Sequence, residues 1–406
     1  MHIILVNSPS LKIGIIVDKF PSVSETFILN KVEGLCKRGY NVVVFRNSRH
    51  NDPALEAQML SANKANLTLV DMQLPTNPIQ ATGTLLRNPS VAVSALSSGS
   101  SSLAGKIVSA IRDKYFATNP CDIYHFEFSG LAIQYLPLFK NLRGKIVVSC
   151  RGTAEKVKAV TQPSRKMELQ QLFAKVDKVH CVSEDMAQTV VGIGAPRQKV
   201  FVNRPAIISS FFKPAETKAS RTSVNIFSIG RFSFQKGYLL GLLAMQQVVK
   251  QDKDVHWTIA GDGPMREEIQ FYIHDLGLQD HVTLAGAVVK QQVLALFQNA
   301  DIFFLPSVYE GIANVVLEAM AMQLPVVSSD CSGMKEVITQ NEDGMLFPNY
   351  DVNAMAASLL DLIADKEKRK RLGIEARKTI QAHFDLERQL DVFEREYQQL
   401  LTPVTA

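Results

Sequence analysis

Asp301-Ile-Phe-Phe-Leu305, Pro306-Ser-Val-Tyr-Glu310, Gly311-Ile-Ala-Asn314, Val315-Val-Leu-Glu318-Ala-Met-Ala321 and Met322-Gln-Leu-Pro325 follow one another without a break. The apolar run Ile302 to Leu305 suits a buried parallel strand. Pro306 and Gly311 end it, and the Ala, Leu, Glu and Met beyond them support a helix of about three turns that stops before Pro325. Glu310 then lies in the loop at the helix N-terminus, and Glu318 lies within the helix. Asn314 and Glu318, four apart, share one face, while Leu317, Met320 and Ala321 turn toward the sheet. Free backbone N–H groups at Gly311, Ile312, Ala313 and Asn314 attract a phosphate or a hydroxyl. A carboxylate on the adjoining loop can orient hydroxyls or steady positive charge at an anomeric carbon.

Two further junctions have the same plan. Ile226-Phe-Ser-Ile-Gly230-Arg231-Phe-Ser-Phe-Gln-Lys236-Gly237 ends a strand at Gly230 and opens a helix near Gly237. Arg231 and Lys236 are expected to converge on one anionic group, and a diphosphate leaving group fits. Val255-His-Trp-Thr-Ile-Ala260 leads into Gly261-Asp-Gly263-Pro264 and a polar helix, with Pro264 expected at its first position. Arg266 stands where a dinucleotide fingerprint needs its third glycine, so the signal for a nicotinamide cofactor is weak. Three such loops together suit a nucleotide-sugar donor.

Outward from these loops, apolar strands alternate with helical stretches, as a doubly wound parallel sheet requires. First-half strands are expected at Ile13–Val17, Asn41–Phe45, Ile123–Phe126, Ile146–Ser149, Val179–Val182 and Val200–Asn203, with Met1 to Asn7 also reading as strand. Second-half strands are expected at Asn225–Ile229, Trp257–Ala260, Val282–Ala285, Ile302–Leu305 and Val326–Ser328. Residues 51–120 exceed a simple crossover and include Ser97-Ser-Gly-Ser-Ser-Ser102, which predicts a partly mobile insertion. With 406 residues, 46% of them apolar, the chain can bury two ordinary cores. The expected division is 1–205, 206–384 and a terminal helix segment 385–406.

The five cysteines, Cys36, Cys121, Cys150, Cys181 and Cys331, show neither close pairing nor metal spacing, which points to a reducing cytoplasm and no structural zinc. No apolar run reaches membrane-span length. Charge divides unevenly: residues 1–205 carry 25 Lys and Arg against 14 Asp and Glu, a net +11, and the remainder carries −6. A basic first half suits an anionic membrane surface or a polyanionic acceptor. No basic run interleaved with aromatics and no recognition-helix signature occurs, so nucleic acid is not an expected partner.

These segments resemble family 4 of the retaining glycosyltransferases. Phe20-Pro-Ser22-Val-Ser24-Glu25-Thr26-Phe27-Ile is similar to the subgroup that builds bacterial exopolysaccharides, colanic-acid-type enzymes included. Lys178-Val-His-Cys-Val-Ser183-Glu184, Gly333-Met-Lys-Glu336-Val-Ile and Gly344-Met-Leu-Phe347 extend the resemblance over nearly the whole chain. It implies a GT-B fold, two Rossmann-like domains facing each other across a cleft, with the final helix Leu386–Leu401 packing back on the first. It also implies transfer from a UDP- or GDP-sugar to a saccharide acceptor, free or lipid-linked, with no metal and no cofactor besides the donor.

Residue by residue, the resemblance gives Glu310 the donor-sugar hydroxyls, Glu318 the ribose, and Arg231 and Lys236 the departing diphosphate. The donor set also takes in Gly230, Gly261, Gly263, Gly311, Ile312, Ala313 and Asn314, and Val288 with its neighbours receives the base. On the acceptor side stand Ser24, Glu25, His125 and Arg151. Two features depart from the family pattern. Ser22-Val-Ser24-Glu25 replaces a glycine-rich loop and reads as a capping box of Ser22 with Glu25. Ser149-Cys-Arg151-Gly152-Thr153 replaces a His-Gly pair, and an arginine binds an anion rather than moving a proton. The alternatives are a sugar-nucleotide epimerase, which would turn over donor without acceptor; a dinucleotide oxidoreductase; and a non-catalytic nucleotide- or glycan-binding protein.

Overall fold

A computed structural model describes residues 11–22, 25–49, 53–63, 65–75, 80, 91, 103–214 and 223–402. Met1 to Asn7, Ser24 and Ser97 to Ser102 lie outside the described residues. Contacts divide the chain into two compact units. The first holds the described residues up to Val182, then Met186–Asn203 and the chain from Gln389 onward; the second holds Ser183–Asp185 and Arg204–Arg388.

The first unit is built on a seven-stranded parallel sheet: β1 Lys12–Phe20, β2 Asn41–Arg49, β3 Leu67–Asp71, β4 Ile123–Phe126, β5 Lys145–Cys150, β6 Lys178–Cys181 and β7 Val200–Val202, in the order β3-β2-β1-β4-β5-β6-β7. The second has six parallel strands: β8 Val224–Ile229, β9 Val255–Ala260, β10 Val282–Gly286, β11 Ile302–Leu305, β12 Val326–Ser329 and β13 Met345–Phe347, in the order β10-β9-β8-β11-β12-β13. Apolar runs such as Ile302-Phe-Phe-Leu305 make the central strands, because helices cover both faces of a parallel sheet and leave no solvated side there to alternate with. Ile302 to Leu305 are all at most 1% exposed.

Several expectations need correction. Residues 51–120 are more than an inserted excursion: they supply the helix Pro53–Ala62, the edge strand β3, which pairs with β2, and the helix Leu103–Thr118. The capping box does not form. Glu25 is itself the N-cap of the helix Thr26–Lys37, without a side-chain cap bond, and its N–H donates to Ser22 O at 3.1 Å. The helix after Gly263 begins at Arg266, so Pro264 sits in the preceding turn, closed by Arg266 N–H donating to Gly263 O.

The helix of the opening stretch spans Asn314–Ala321 and stops short of Pro325. Gln323 turns left-handed at φ 59°, Leu324 N–H donates to Ala319 O and Gln323 N–H donates to Met320 O. This is a Schellman ending with glutamine where glycine is usual.

The final helix, Leu386–Leu401, belongs with the first unit from Gln389 onward. Glu396 pairs with Lys178, Asp391 and Glu394 pair with Arg38, and Gln389 O accepts from Asn203 Nδ2.

Candidate active site

In the second unit the sheet order reverses between β8 and β11. Open α/β sheets bind ligands in the crevice such a reversal leaves at the carboxyl ends of the strands. The two flanking loops are the ones that carry Lys236 and Glu310. They are stitched together by Val308 N–H donating to Gln235 O at 2.8 Å, and the neighbouring loop joins through Gly230 N–H to Ala260 O and Phe232 N–H to Asp262 O. Gly261 N–H reaches Gly286 O at 2.8 Å, which brings the segment bearing Val288 into the same group of loops. Gly237 turns left-handed at φ 63° and lies so close to Pro306 O that a Cβ there would collide with it; only glycine lets the two loops approach this closely.

At the centre stands an ion pair. Lys236 Nζ lies 2.6 Å from Glu310 Oε1, with side chains 15% and 8% exposed. Ser307 Oγ donates to Glu310 Oε1 at 3.0 Å and Gln235 Nε2 to Oε2 at 3.2 Å. Glu310 is therefore fixed from three sides. Arg231 is exposed, and Lys236 is turned onto Glu310. Gly311, Ile312 and Ala313 are buried at the start of the Asn314–Ala321 helix, whose Asn314 and Glu318 are half-buried on one face. An apolar cavity of ≈ 220 Å³ lies beside the loop, lined by Phe234, Tyr238, Leu240, Met265 and Tyr350 among others.

The first unit repeats the plan, its sheet order reversing between β1 and β4. Just past β4, Glu127 is fully buried. Its Oε1 lies 2.7 Å from Lys31 Nζ and its Oε2 lies 2.6 Å from Arg151 Nη2, while its backbone O accepts from Arg151 Nε at 3.1 Å. Burial opposes the carboxylate, yet the charges of Lys31 and Arg151 hold it well below the usual range. Lys31 is pushed down to about 8 by burial, against the opposing pull of Glu127.

From there a hydrogen-bond chain runs through the buried side chains of the unit. His180 Nε2 donates to Asn203 O, so its Nδ1 accepts from Ser149 Oγ; the Ser149 oxygen accepts from His125 Nε2, and His125 Nδ1 accepts from Tyr397 Oη and Lys31 Nζ. Burial, then the charge of Lys31, keeps His125 neutral, and burial followed by Arg151 pushes His180 down to about 3.

His125, expected on the acceptor side, is therefore a core residue: it is 0% exposed and both ring nitrogens are taken. Arg151 is partly open. Its guanidinium packs on Phe27 at 4.1 Å and lines an open pocket of ≈ 250 Å³ with Ser129, Gly130, Gly152 and Lys158. Glu155 braces that pocket, accepting from Ser129 Oγ and, at 3.1 Å, from Gly152 N–H; burial raises its pKa. Glu25, half-buried at the start of its helix, is raised by burial and lowered by Arg151 nearby.

Sequence reasoning gave no role to Lys31, Glu155, Tyr238, Gln235 or Ser307. For Lys31 a signal existed: it falls on the stripe Ile28, Lys31, Val32, Leu35 that the helix buries. All five cysteines are free and buried. Among the described residues no helix is long and apolar enough to cross a membrane.

Comparison with known proteins shows the family and the fold. Residues 24–208 match the model for Glycosyltransferase Family 4, and residues 210–379 match that for Glycosyl transferases group 1. The chain belongs to the glycosyltransferases with this pair of domains, and its fold is GT-B. Among curated proteins, the putative colanic acid biosynthesis glycosyltransferase WcaL of Escherichia coli K12 is 29% identical over 389 residues, covering 90% of this chain and 95% of that one. The amylovoran biosynthesis glycosyltransferase AmsK of Erwinia amylovora is 29% identical over 398 residues, covering 92% and 96%. Among solved structures, Anabaena Alr3699/HepE in complex with UDP and glucose superimposes with a TM-score of 0.74 at 15% identity, covering 96% of this chain and 100% of that one. Sucrose-phosphate synthase of Thermosynechococcus elongatus gives 0.78 at 18%, covering 96% and 99%.

Proposed function

We propose that this glycosyltransferase moves a sugar from a UDP- or GDP-sugar to a saccharide acceptor, free or lipid-linked, with retention at the anomeric carbon, in cell-surface polysaccharide synthesis. The observation that carries the proposal is the Lys236–Glu310 pair held at the carboxyl ends of β8 and β11, beside a helix N-terminus. A cation for a leaving diphosphate and a carboxylate for sugar hydroxyls stand next to each other, as glycosyl transfer from a nucleotide sugar needs. The colanic acid and amylovoran names of WcaL and AmsK, and the UDP and glucose bound by HepE, support the reading.

Lys236 and exposed Arg231 neutralise the diphosphate in place of a metal. Glu310 holds the donor sugar, Glu318 the ribose, and the backbone from Gly311 to Asn314, with Gly230, Gly261, Gly263 and Val288, shapes the donor site. The departing diphosphate accepts the acceptor's proton on the same face, so no protein base is required. Arg151 and Glu25 meet the acceptor. An epimerase would consume donor with no acceptor present, and a binding protein would not consume it at all.

Nucleotide binding measured in excess EDTA tests the donor site. Wild type is expected to keep its affinity for UDP or GDP, and Lys236→Ala to lose about tenfold or more. Binding abolished by chelation and restored by a divalent ion would contradict the metal-free account. The +11 of residues 1–205 further motivates peripheral contact, from the cytoplasmic side, with an anionic membrane. Co-sedimentation with anionic vesicles at low salt, lost at high salt, is the expected result, and indifference to lipid charge would return that charge to solubility.

A further inference from the structure

The hydroxyl of Tyr238 is an anomaly. Tyr238 opens the helix Tyr238–Gln251 and is 2% exposed, yet among the described residues its Oη has no hydrogen-bond partner. Buried hydroxyls are nearly always paired, because an unmade bond forfeits the whole cost of leaving water. The ring is well seated, edge-on to Phe232 with centroids 5.5 Å apart and 6.4 Å from Trp257, so packing accounts for the aromatic ring and leaves the hydroxyl unexplained.

Its surroundings say what it faces. A Cβ placed on Gly230 would lie 3.1 Å from Tyr238 Oη and 2.9 Å from Lys236 Cε. The hydroxyl and the lysine stem thus share the space that the missing side chain leaves, and the lysine's head is drawn away to Glu310. Burial first, and then the charge of Glu310, keep the phenol's proton in place as a donor.

We propose that Tyr238 is a positioning residue for the donor diphosphate. When Lys236 leaves Glu310 for the phosphates, its stem clears Gly230, and the Tyr238 hydroxyl donates to a diphosphate oxygen that takes the vacated space. The tyrosine hydroxyl has no partner among the described residues and gains one in the complex. Part of the cost of breaking the Lys236–Glu310 pair is thereby offset by a hydrogen bond to a charged oxygen, a stronger kind than a neutral one. The inference rests on the reading that the second unit binds a nucleotide diphosphate.

The experiment is calorimetric titration of UDP and GDP onto wild type and Tyr238→Phe, with thermal unfolding of both proteins free of nucleotide. Phenylalanine keeps the ring contacts and removes the orphan donor. Tyr238→Phe is expected to bind the preferred nucleotide about tenfold or more weakly, the scale of a hydrogen bond to a charged group, with a midpoint of unfolding no lower than wild type. A tyrosine that merely packs would not give that pair of signs. Equal affinities, or a lower midpoint with unchanged affinity, would overturn the inference while leaving the donor site standing. If wild type bound neither nucleotide, the donor reading itself would fail, and this one with it.

Discussion

Glu310→Gln is expected to lower turnover by about a hundredfold to a thousandfold, the range seen when one preorganised electrostatic contact to a transition state is removed. Nucleotide affinity should hold or rise. Glutamine preserves the size of the side chain and an oxygen for Ser307 Oγ, so the loop stays folded. What it removes is the charge that pairs with Lys236 at 2.6 Å in the free protein. Lys236 then meets an incoming diphosphate without first giving up a carboxylate. Turnover should fall because the charge that develops at the sugar has lost its counterpart, and a loss confined to the transition state appears in kcat more than in binding. Glu318→Ala provides the contrast: its loss should fall on nucleotide binding. Similar small changes in turnover from both variants would leave the two glutamates as parts of the scaffold.

The largest effect on stability is expected in the first unit. Lys31→Met should destabilise the protein by about 3–5 kcal/mol, because it leaves Glu127 buried with one of its two cations gone. Methionine fills nearly the same space and keeps the contact with Phe393, over which Lys31 Nζ sits at 4.0 Å, so the loss reports charge rather than a cavity. Adding Glu127→Gln should recover a good part of the stability, since the unmatched charge disappears while an oxygen remains for Arg151. Denaturant unfolding of the single and double variants measures this. A double variant less stable than Lys31→Met alone would show that the carboxylate stabilises the fold without its lysine.

The contrast between the two units shows where sequence reading succeeds and where it stops. β4 and β11 were legible to the residue, because Ile123-Tyr-His-Phe126 and Ile302-Phe-Phe-Leu305 are short, wholly buried and bounded by polar residues or proline. β3 and β13 were not. Both are edge strands; Leu67-Thr-Leu-Val-Asp71 is interrupted by Thr68, and Met345-Leu-Phe347 is only three residues long. Residue types at the candidate site were readable, since a glycine, a proline or a helix start each dictates local backbone. Their pairing was not: Lys236 and Glu310 lie 74 positions apart, and only the reversal of strand order brings them together. His125 failed for the same reason. A histidine at a strand end looks the same in sequence whether it faces a ligand or meets Ser149 and a tyrosine 272 positions away.

The central claim is transfer with retention from a nucleotide sugar. Its most direct test is incubation of the protein in EDTA with UDP- and GDP-sugars and a saccharide acceptor, followed by nuclear magnetic resonance of the product's anomeric proton. The account predicts nucleotide release that depends on the acceptor, and a product whose anomeric configuration matches that of the donor. Inverted configuration, or donor consumed at the same rate with no acceptor present, would contradict it.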